Sequence, residues 1–372
     1  MPTSVPAAAK PLVSFVVPCF RLAHLLGECL NSILGQTYAE LEILIMDDCS
    51  PDDTAAVAAS FTDPRVRYLR NEVNLGQLRN YNRGIDASRG KYVWLISADD
   101  YLRTPDILER YVQCMEANPS VGYACCAGIS VVDGREAGPI RYSQCYPDDR
   151  VVAGHDFLRL LLRSNVVLAA SGMVRKSCYD QHGTFPLSDG MIWSGDWYLW
   201  CLFALHHDVA YFATPMVCYR QHGLSMTTTL KTQRSIDVPV GDIAVPWMVS
   251  RLARNLGFTD LQKTCQDAIV YVYVRLLTSL DGRITRDRFE ASLAENAANA
   301  QEIRTLRALV YASIGDVYYA RGKRRPARSY YAASTSLQRP SLTLLAKLAL
   351  LSVGPVGTAL RSMMTARRGA LT

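Results

Sequence analysis

The sequence lacks several motifs that would assign a function directly. Its 372 residues contain no G-x-x-x-x-G-K-[ST] loop for a triphosphate, no G-x-G-x-x-G turn for a dinucleotide and no G-x-S-x-G turn for a catalytic serine. No uninterrupted run of about 18 apolar residues occurs either, so no transmembrane helix is expected. The N-terminal MPTSVPAAAK has no basic segment followed by an apolar one, and we therefore expect no secretory signal.

Cysteine is plentiful, but its spacing does not indicate a metal or disulfide framework. The chain has 11 cysteines, an odd number, and no C-x-x-C pair. Most of them lie in apolar runs, which predicts buried, reduced thiols. Because reduced thiols are typical of the cytosol, we expect a cytoplasmic protein.

The positive charge is concentrated at the C-terminal end. Residues 301–372 carry 12 Lys and Arg against 2 Asp and Glu, whereas the preceding 300 residues carry 28 against 32. The leucine-rich stretch 341–360 and the arginines at 361, 367 and 368 predict a basic amphipathic tail that contacts an anionic membrane surface. A helix docked on its own domain is an equally good interpretation. The basic run 321–328 has no interleaved stacking aromatics, so no nucleic-acid partner is expected.

Apolar runs typical of strands alternate with helical patterns in the first hundred residues. The predicted strands cover residues 12–17, 41–46, 66–69 and 92–96, and the predicted helices cover 22–34, 52–61 and 77–87. This alternation predicts a mostly parallel sheet with helices on both faces. Beyond about residue 230 only helical patterns follow.

Two pairs of carboxylates follow predicted strands. Asp47 and Asp48 follow the second strand, and Asp99 and Asp100 follow the fourth. Ligands of parallel sheets bind at the carboxyl ends of the strands, where both pairs are expected. Gathered carboxylates repel one another unless a cation or hydrogen-bond donors compensate, so we predict a divalent metal or a polar ligand. The structural alternative is a helix cap at Asp48 and a simple turn at Asp99 and Asp100.

Several ordered motifs resemble glycosyltransferase family 2. They are V-S-F-V-V-P-C-F at 13–20, S-I-L-G-Q-T-Y at 32–38, L-E-I-L-I-M-D-D-C-S-P-D-D-T at 41–54, N-L-G at 74–76, S-A-D-D at 97–100 and G-D-W-Y-L-W at 195–200. The resemblance implies an α/β domain with the GT-A fold, which is Rossmann-like with a mostly parallel central sheet and helices on both faces. We expect an N-terminal tail over 1–10, the GT-A domain over 11–230, and a helical C-terminal domain over 231–372 with a tetratricopeptide-like hairpin and the basic amphipathic tail.

The resemblance also implies which residues bind the nucleotide. The implied set is Pro18, Cys19, Phe20, Asp48, Gly76, Arg79, Ser97, Ala98 and Asp99. Within it, Asp48 would accept a hydrogen bond from N3 of the base, and Asp99 would face the ribose.

A metal site is implied next to the nucleotide. Asp100 would ligate Mn²⁺ or Mg²⁺ bridging the diphosphate, with Asp99 and His222 as further ligands; alternatively, Arg220 and His222 would bind the diphosphate directly. Ser97 stands where the family usually has an acid, which leaves the roles of Asp99 and Asp100 open by one position.

The catalytic base implied by the resemblance is Asp196, with Asp189 in reserve. Trp193 and Trp197 flank it, and aromatic faces suit the apolar faces of a sugar, so both are predicted to bind the acceptor. The alternative is that these rings, with Trp200, form one buried helical face.

The resemblance, together with the acidic strand ends, implies an inverting, metal-dependent transferase that moves a sugar from a nucleotide sugar, UDP-linked by preference, to a hydroxyl of a glycan or glycolipid acceptor. The expected process is cell-surface polysaccharide or glycolipid synthesis at the inner face of the membrane. A non-catalytic nucleotide-binding scaffold on the same fold is the alternative.

Overall fold

One mixed sheet organises the first part of the chain. The computed structural model describes residues 10–223, 225–279 and 284–352. Within these residues the strands are β1 (Val13–Cys19), β2 (Leu41–Asp47), β3 (Val66–Arg70), β4 (Tyr92–Leu95), β5 (Tyr101–Leu102), β6 (Val121–Val132), β7 (Arg135–Pro139), β8 (Arg150–Val152), β9 (Met173–Arg175) and β10 (Asp208–Gln221). All seven residues of β1 and all seven of β2 are buried, as expected for strands covered on both faces.

The sheet has a parallel part and an antiparallel seam. Its order is β3-β2-β1-β4-β9-β6-β10-β5, with β7 beside β6 and β8 beside β10. Strands β1 to β4 pair in parallel, and so do β6 and β10. Between these groups, β9 runs antiparallel to both β4 and β6. The predicted α/β architecture with a largely parallel central sheet is confirmed, and the reversal at β9 was not predicted.

Nine helices accompany these strands in the part that the structure describes. They are α1 (Ala23–Leu34), α2 (Thr54–Ala59), α3 (Gln77–Ala87), α4 (Ile107–Ala117), α5 (Gly154–Leu161), α6 (Lys176–His182), α7 (Met191–Ala204), α8 (Met226–Thr232) and α9 (Asp237–Asn255). The four predicted strands and three predicted helices are all present, with ends that differ by two residues at most.

Helix α3 lies close to the centre of the sheet because of a glycine. A Cβ atom at Gly84 would lie 2.4 Å from Cγ1 of Val16 and 3.0 Å from Cγ of Met46. Any larger residue would therefore push α3 away from β1 and β2. This close packing fixes the loop that precedes α3, which forms part of the site described below.

The chain divides into two compact units, one ending at Leu261 and the other beginning at Gln262. Helix α9 packs against α7 within the first unit. The second unit contains α10 (Gln262–Leu277), α11 (Arg286–Asn296), α12 (Ala300–Ala320), α13 (Arg324–Thr335) and α14 (Leu342–Ser352).

The predicted helical hairpin of the second unit is present as α12 and α13. Gly322, with a φ of 73°, lies in the turn between the two helices, and Gly315 lies against the ring of Tyr331. Of the predicted basic tail, only α14 lies within the described residues; the arginines at 361, 367 and 368 lie outside them.

Two further features concern the environment of the chain. All 11 cysteines are free thiols, and most of them are buried. No helix of the described residues is both long enough and apolar enough to cross a membrane.

Candidate active site

The ends of β1, β2 and β4 meet at one edge of the sheet, as the sequence predicted. The backbone amide of Asp48 donates to the carbonyl of Cys19 at 3.0 Å, and the amide of Ala98 donates to the carbonyl of Pro18 at 3.1 Å. Because these bonds join the residues just after the strands, the segments carrying both acidic pairs are held side by side.

Asp48 anchors the loop that leads into α3. Its Oδ1 accepts from the amide of Leu75 and from Nδ2 of Asn71, both at 2.7 Å, and its Oδ2 accepts from the amide of Gly76 at 3.0 Å. Gly76 has a φ of 82°, which a side chain would strain. The resemblance implies a hydrogen bond from Asp48 to the base, which stays a prediction, whereas this loop-anchoring role was not predicted.

Asp47 is fully buried and has a structural role. Its Oδ2 accepts from Oη of Tyr68 and Nη1 of Arg70, both at 2.5 Å, and its Oδ1 accepts from the amide of Ser50 at 2.8 Å. These donors satisfy the charge of the carboxylate without a ligand. The two acids that follow β2 therefore both shape the edge of the sheet.

The second acidic pair is different, because the carboxylate of Asp100 has few donors among the described residues. Oδ1 of Asp100 accepts from the amide of Arg220 at 2.9 Å, and its Oδ2 receives no hydrogen bond from the part of the chain that the structure describes. Burial, reinforced by the charge of Asp99, raises the pKa of Asp100 well above its usual range. Burial also acts on Asp99, but hydrogen bonds from His222 and Ser97 outweigh it and lower the pKa of that carboxyl.

A divalent cation fits this pair only in part. A buried carboxylate beside a second carboxylate is the environment that a hard cation would neutralise, so the Asp100 oxygen fits such an ion. Among the described residues, however, no three His, Cys, Asp or Glu side chains converge on a common point for a metal. Nε2 of His222 lies 3.0 Å from Oδ2 of Asp99, so His222 contacts the predicted ribose-facing acid. The remaining ligands of a cation at Asp100 would have to come from the diphosphate and water.

The side chain of Arg220 links the backbone of the acidic pair to α1. Its Nη1 donates to the carbonyl of Asp99 at 2.7 Å, its Nη2 donates to Oε2 of Glu28 at 2.6 Å, and its guanidinium lies over the ring of Tyr101. The side chain is almost fully buried. The structure therefore gives no support to direct binding of diphosphate by Arg220, since its guanidinium is already committed to these groups. Glu28, on the exposed side of α1, carried no signal in the sequence.

Asp196 lies near the start of α7 with both carboxylate oxygens hydrogen-bonded. Oδ1 accepts from the amide of Trp197 at 2.7 Å, and Oδ2 accepts from Nδ2 of Asn165 at 3.0 Å. Burial raises the pKa of Asp196 to about 6, although both hydrogen bonds oppose that shift. Asn165 is a site residue that the sequence did not reveal, because it lies in a loop without a motif.

Three tyrosines link Asp196 to the acidic pair. The pKa of Tyr81, Tyr142 and Tyr219 is raised mainly by the surrounding protein, although Tyr142 is half exposed, and the charges of Asp100 and Asp196 contribute to each of the three. A carboxylate charge acts strongly only on groups nearby. Asp100 and Asp196, from distant parts of the sequence, thus lie near the same three tyrosines.

The tryptophans next to Asp196 are less available than predicted. Trp197 is only 5% exposed and donates through Nε1 to the carbonyl of Leu161 at 2.9 Å, so the prediction that its face binds a sugar is wrong for this conformation. Trp200 is equally buried and packs against Tyr123. Trp193 is partly buried and donates to Asp242 of α9; its role in acceptor binding stays a prediction. By contrast, Tyr142 is 50% exposed.

The other predicted nucleotide residues differ in accessibility. Phe20 is 40% exposed, whereas Cys19 and Ala98 are buried. Pro18 is buried as well, and Ser97 is partly exposed. Arg79 is exposed on α3, with no hydrogen bond or ion pair to the described residues. The reserve base, Asp189, is exposed.

Comparison with solved structures defines the class. The fold is similar to that of S. aureus TarS in a complex with UDP-GlcNAc, with a TM-score of 0.62 and 17% sequence identity over 87% of this chain and 91% of TarS. With the acidic ends of β2 and β4 at the sheet edge, this similarity assigns the chain to the GT-A fold class.

A family model matches part of the sequence. Residues 14–161 match the model of glycosyl transferase family 2. It is 37% identical over 113 residues to the succinoglycan biosynthesis protein ExoO of Rhizobium meliloti, covering 30% of this chain and 32% of ExoO. It is also 27% identical over 218 residues to an uncharacterized glycosyltransferase of Haemophilus influenzae, covering 57% of this chain and 66% of that protein. Several curated relatives are matched over only about a third of their length.

Proposed function

We propose that this chain is an inverting glycosyltransferase that transfers a sugar from a nucleotide sugar to an acceptor hydroxyl. The proposal is supported by the neighbourhood that Asp100 and Asp196 share, since their charges act on the same three tyrosines. Asp100 lies where the diphosphate is predicted to bind, and Asp196 is a separate acid whose pKa suits a general base. A single displacement needs both functions, one at the leaving diphosphate and one at the attacking hydroxyl.

Asp196 is the general base of the proposed reaction. With a pKa of about 6 it is mostly ionised at neutral pH, yet it remains basic enough to accept a proton. Its carboxylate removes the proton of the acceptor hydroxyl as that oxygen forms a bond to the anomeric carbon. The bond from the anomeric carbon to the diphosphate oxygen breaks on the opposite face, so the configuration is inverted.

The nucleotide is proposed to bind at the edge formed by the ends of β1, β2 and β4. The loop anchored by Asp48 and the exposed ring of Phe20 would border the base, and Asp99, oriented by His222, would receive the ribose hydroxyls. UDP is our preferred nucleotide, and the TarS complex with UDP-GlcNAc is consistent with it.

Asp100 would hold Mn²⁺ or Mg²⁺. When bound, such a cation stabilises the negative charge of the leaving diphosphate. Asp100 fits this role because it is buried and has an oxygen without a donor among the described residues. Arg220 keeps the carboxylate in place through its backbone amide.

We also propose a cytoplasmic location with contact to the membrane through the tail, and a glycan or glycolipid acceptor in polysaccharide synthesis. Support comes from α14, where Leu342 is 85% exposed and Leu345 is 45% exposed, and from the name of the relative ExoO. Flotation with vesicles containing anionic lipid tests the contact. Truncation after residue 340 should abolish flotation and leave nucleotide binding unchanged.

A panel of nucleotide sugars, assayed for nucleotide release with and without Mn²⁺, tests the transferase proposal. We expect one donor to be turned over in the presence of the metal and an acceptor glycan. Binding of UDP without turnover of any donor would instead favour the non-catalytic scaffold. Full turnover with the metal chelated would overturn the role of the cation.

A further inference from the structure

Asn165 is held at both ends of its side-chain amide. Nδ2 donates to Oδ2 of Asp196 at 3.0 Å, and Oδ1 accepts from the amide of Val167 at 3.2 Å. The second bond fixes which end of the amide faces the carboxylate, because only the oxygen can accept from a backbone amide. The donor is therefore directed at Asp196 by its own loop.

The other oxygen of the carboxylate is fixed by the backbone. The amide of Trp197 donates to Oδ1 of Asp196 at 2.7 Å. Each oxygen thus has one donor, and together they set the plane of the carboxylate. Without Asn165, Oδ2 would keep no hydrogen bond from the residues that the structure describes.

We propose that Asn165 is a positioning residue for catalysis, whose amide orients the carboxylate of Asp196 and favours its ionised form. This inference rests on the proposed function, in which Asp196 is the base. It adds a residue from the loop between α5 and β9 that no motif in the sequence marks.

The surroundings of Asp196 make this hydrogen bond important. Burial raises the pKa of Asp196, and hydrogen bonds from Trp197, from Asn165 and from the backbone of Asp196 itself oppose that effect. The bond from Trp197 comes from its backbone amide, which a substitution does not remove. The bond from Asn165 comes from its side chain, so a substitution can test it.

Other titratable groups lie near Asp196. Tyr81 of α3, Tyr142 in the short helical turn 141–143, and Tyr219 of β10 all have a raised pKa, so these phenols stay neutral between pH 5 and 9. The charge of Asp100 acts on the same three tyrosines as that of Asp196, and the charge of Asp99 acts on Tyr81 and Tyr219. All five groups are present in wild type and in Asn165 variants alike, so they do not account for a difference between the two.

The test compares Asn165→Ala and the isosteric Asn165→Asp with wild type. For Ala we expect the midpoint of the pH profile of kcat to move upward by about one pH unit, because a donor to the ionised form is lost. Turnover would then fall about fivefold at pH 6 and approach the wild-type value at pH 9. Asn165→Asp should shift the profile further, since it replaces the donor by a second carboxylate. The KM for the donor should stay unchanged.

A role in packing alone predicts another result. It would lower kcat by the same factor at every pH, and this outcome would overturn the proposal. Asn118→Ala is the control. It removes a side-chain amide that donates to the carbonyl of Cys114 at the end of α4, and it should leave the pH profile of kcat unchanged.

Thermal unfolding between pH 4 and 8 gives a readout without activity. Asp196 has a higher pKa in the folded chain than in the unfolded one, so its contribution to stability is full below about pH 4 and declines until about pH 6. Asn165→Ala should extend the decline by about one pH unit, and Asp196→Asn should remove it. Identical curves for Asn165→Ala and wild type, with Asp196→Asn inactive, overturn the positioning role alone. Full turnover by Asp196→Asn overturns the base and the positioning role together.

Discussion

The backbone amide of Arg220 donates a hydrogen bond to Oδ1 of Asp100 at 2.9 Å, across 120 residues of sequence. This contact joins the end of β10 to the segment that follows β4. The carboxylate proposed to hold the metal is thus fixed by a strand that belongs to the other half of the sheet.

Asp100→Asn should reduce transfer by at least about 100-fold, because the substituted amide is a poor ligand for the cation that stabilises the leaving diphosphate. The chain should remain folded, since the change removes a buried charge whose ionised form is disfavoured. Initial rates and thermal unfolding at pH 7 check both expectations. Asp148→Asn changes an exposed carboxylate and serves as the matched control; equal rates for the two variants would contradict the metal role.

Asp196→Asn should lower kcat by about 10²- to 10⁴-fold, because the acceptor hydroxyl loses its base. The Kd for the nucleotide, measured by calorimetry, should be unchanged. For wild type, kcat should rise with pH as the carboxylate becomes ionised, with a midpoint near pH 6, and should level off about one pH unit above that midpoint. A flat profile from pH 5 to 8 would argue for a different base, with Asp189 as the next candidate.

Asp48→Ala should destabilise the chain by about 2–3 kcal/mol, because the donors of Asn71, Leu75 and Gly76 lose their shared acceptor. Nucleotide affinity should fall as well, since the loop before α3 is no longer held. Urea unfolding and calorimetry with UDP measure the two effects. The control is Asp53→Ala at the start of α2, where the side chain makes no capping hydrogen bond. Weaker binding with unchanged stability would instead support direct contact of Asp48 with the base.

Tyr142→Ala and Trp197→Ala should separate acceptor binding from core packing. Tyr142 is half exposed, so its loss should cost less than about 1 kcal/mol of stability. Its exposed ring, near the charges of Asp100 and Asp196, is proposed to stack on the acceptor sugar, so Tyr142→Ala should raise the KM for a sugar acceptor by about 3- to 10-fold. Trp197→Ala should cost about 3–5 kcal/mol, because the ring is buried. Tyr142→Phe keeps the ring and should bind the acceptor nearly as wild type does; an unchanged KM for Tyr142→Ala would exclude stacking of the Tyr142 ring on the acceptor.

The fold of the sheet was largely predictable because its signals are local. Apolar runs such as 41–46 form strands that are buried on both faces, and the helical spacing of 77–87 gives α3 with the same bounds. The acidic residues that follow these strands could be placed at one edge for the same reason. The short strand β9 was not predictable, since its three residues carry too little pattern to indicate direction or neighbours.

The candidate site was only partly predictable, because several of its contacts join residues far apart in sequence. Nothing near Asn165 shows that it meets Asp196, and nothing near Glu28 shows that it meets Arg220. The helical spacing of Trp197 and Trp200 is the same for a core face and for a ligand platform. Only the packing around Trp197 shows that it belongs to the core.

The contacts of Arg220 preorganise the acidic pair, because they hold the Asp99 carbonyl and the Asp100 carboxylate in place. Its guanidinium ties the Asp99 carbonyl to Glu28 of α1, so contacts within the chain hold the backbone of the pair. The unfavourable placement of Asp100 beside Asp99, which raises the pKa of Asp100, is therefore set when the chain folds rather than when a substrate arrives. A donor that enters such a site spends little of its binding free energy on rearranging the protein, which leaves more of it for the transition state.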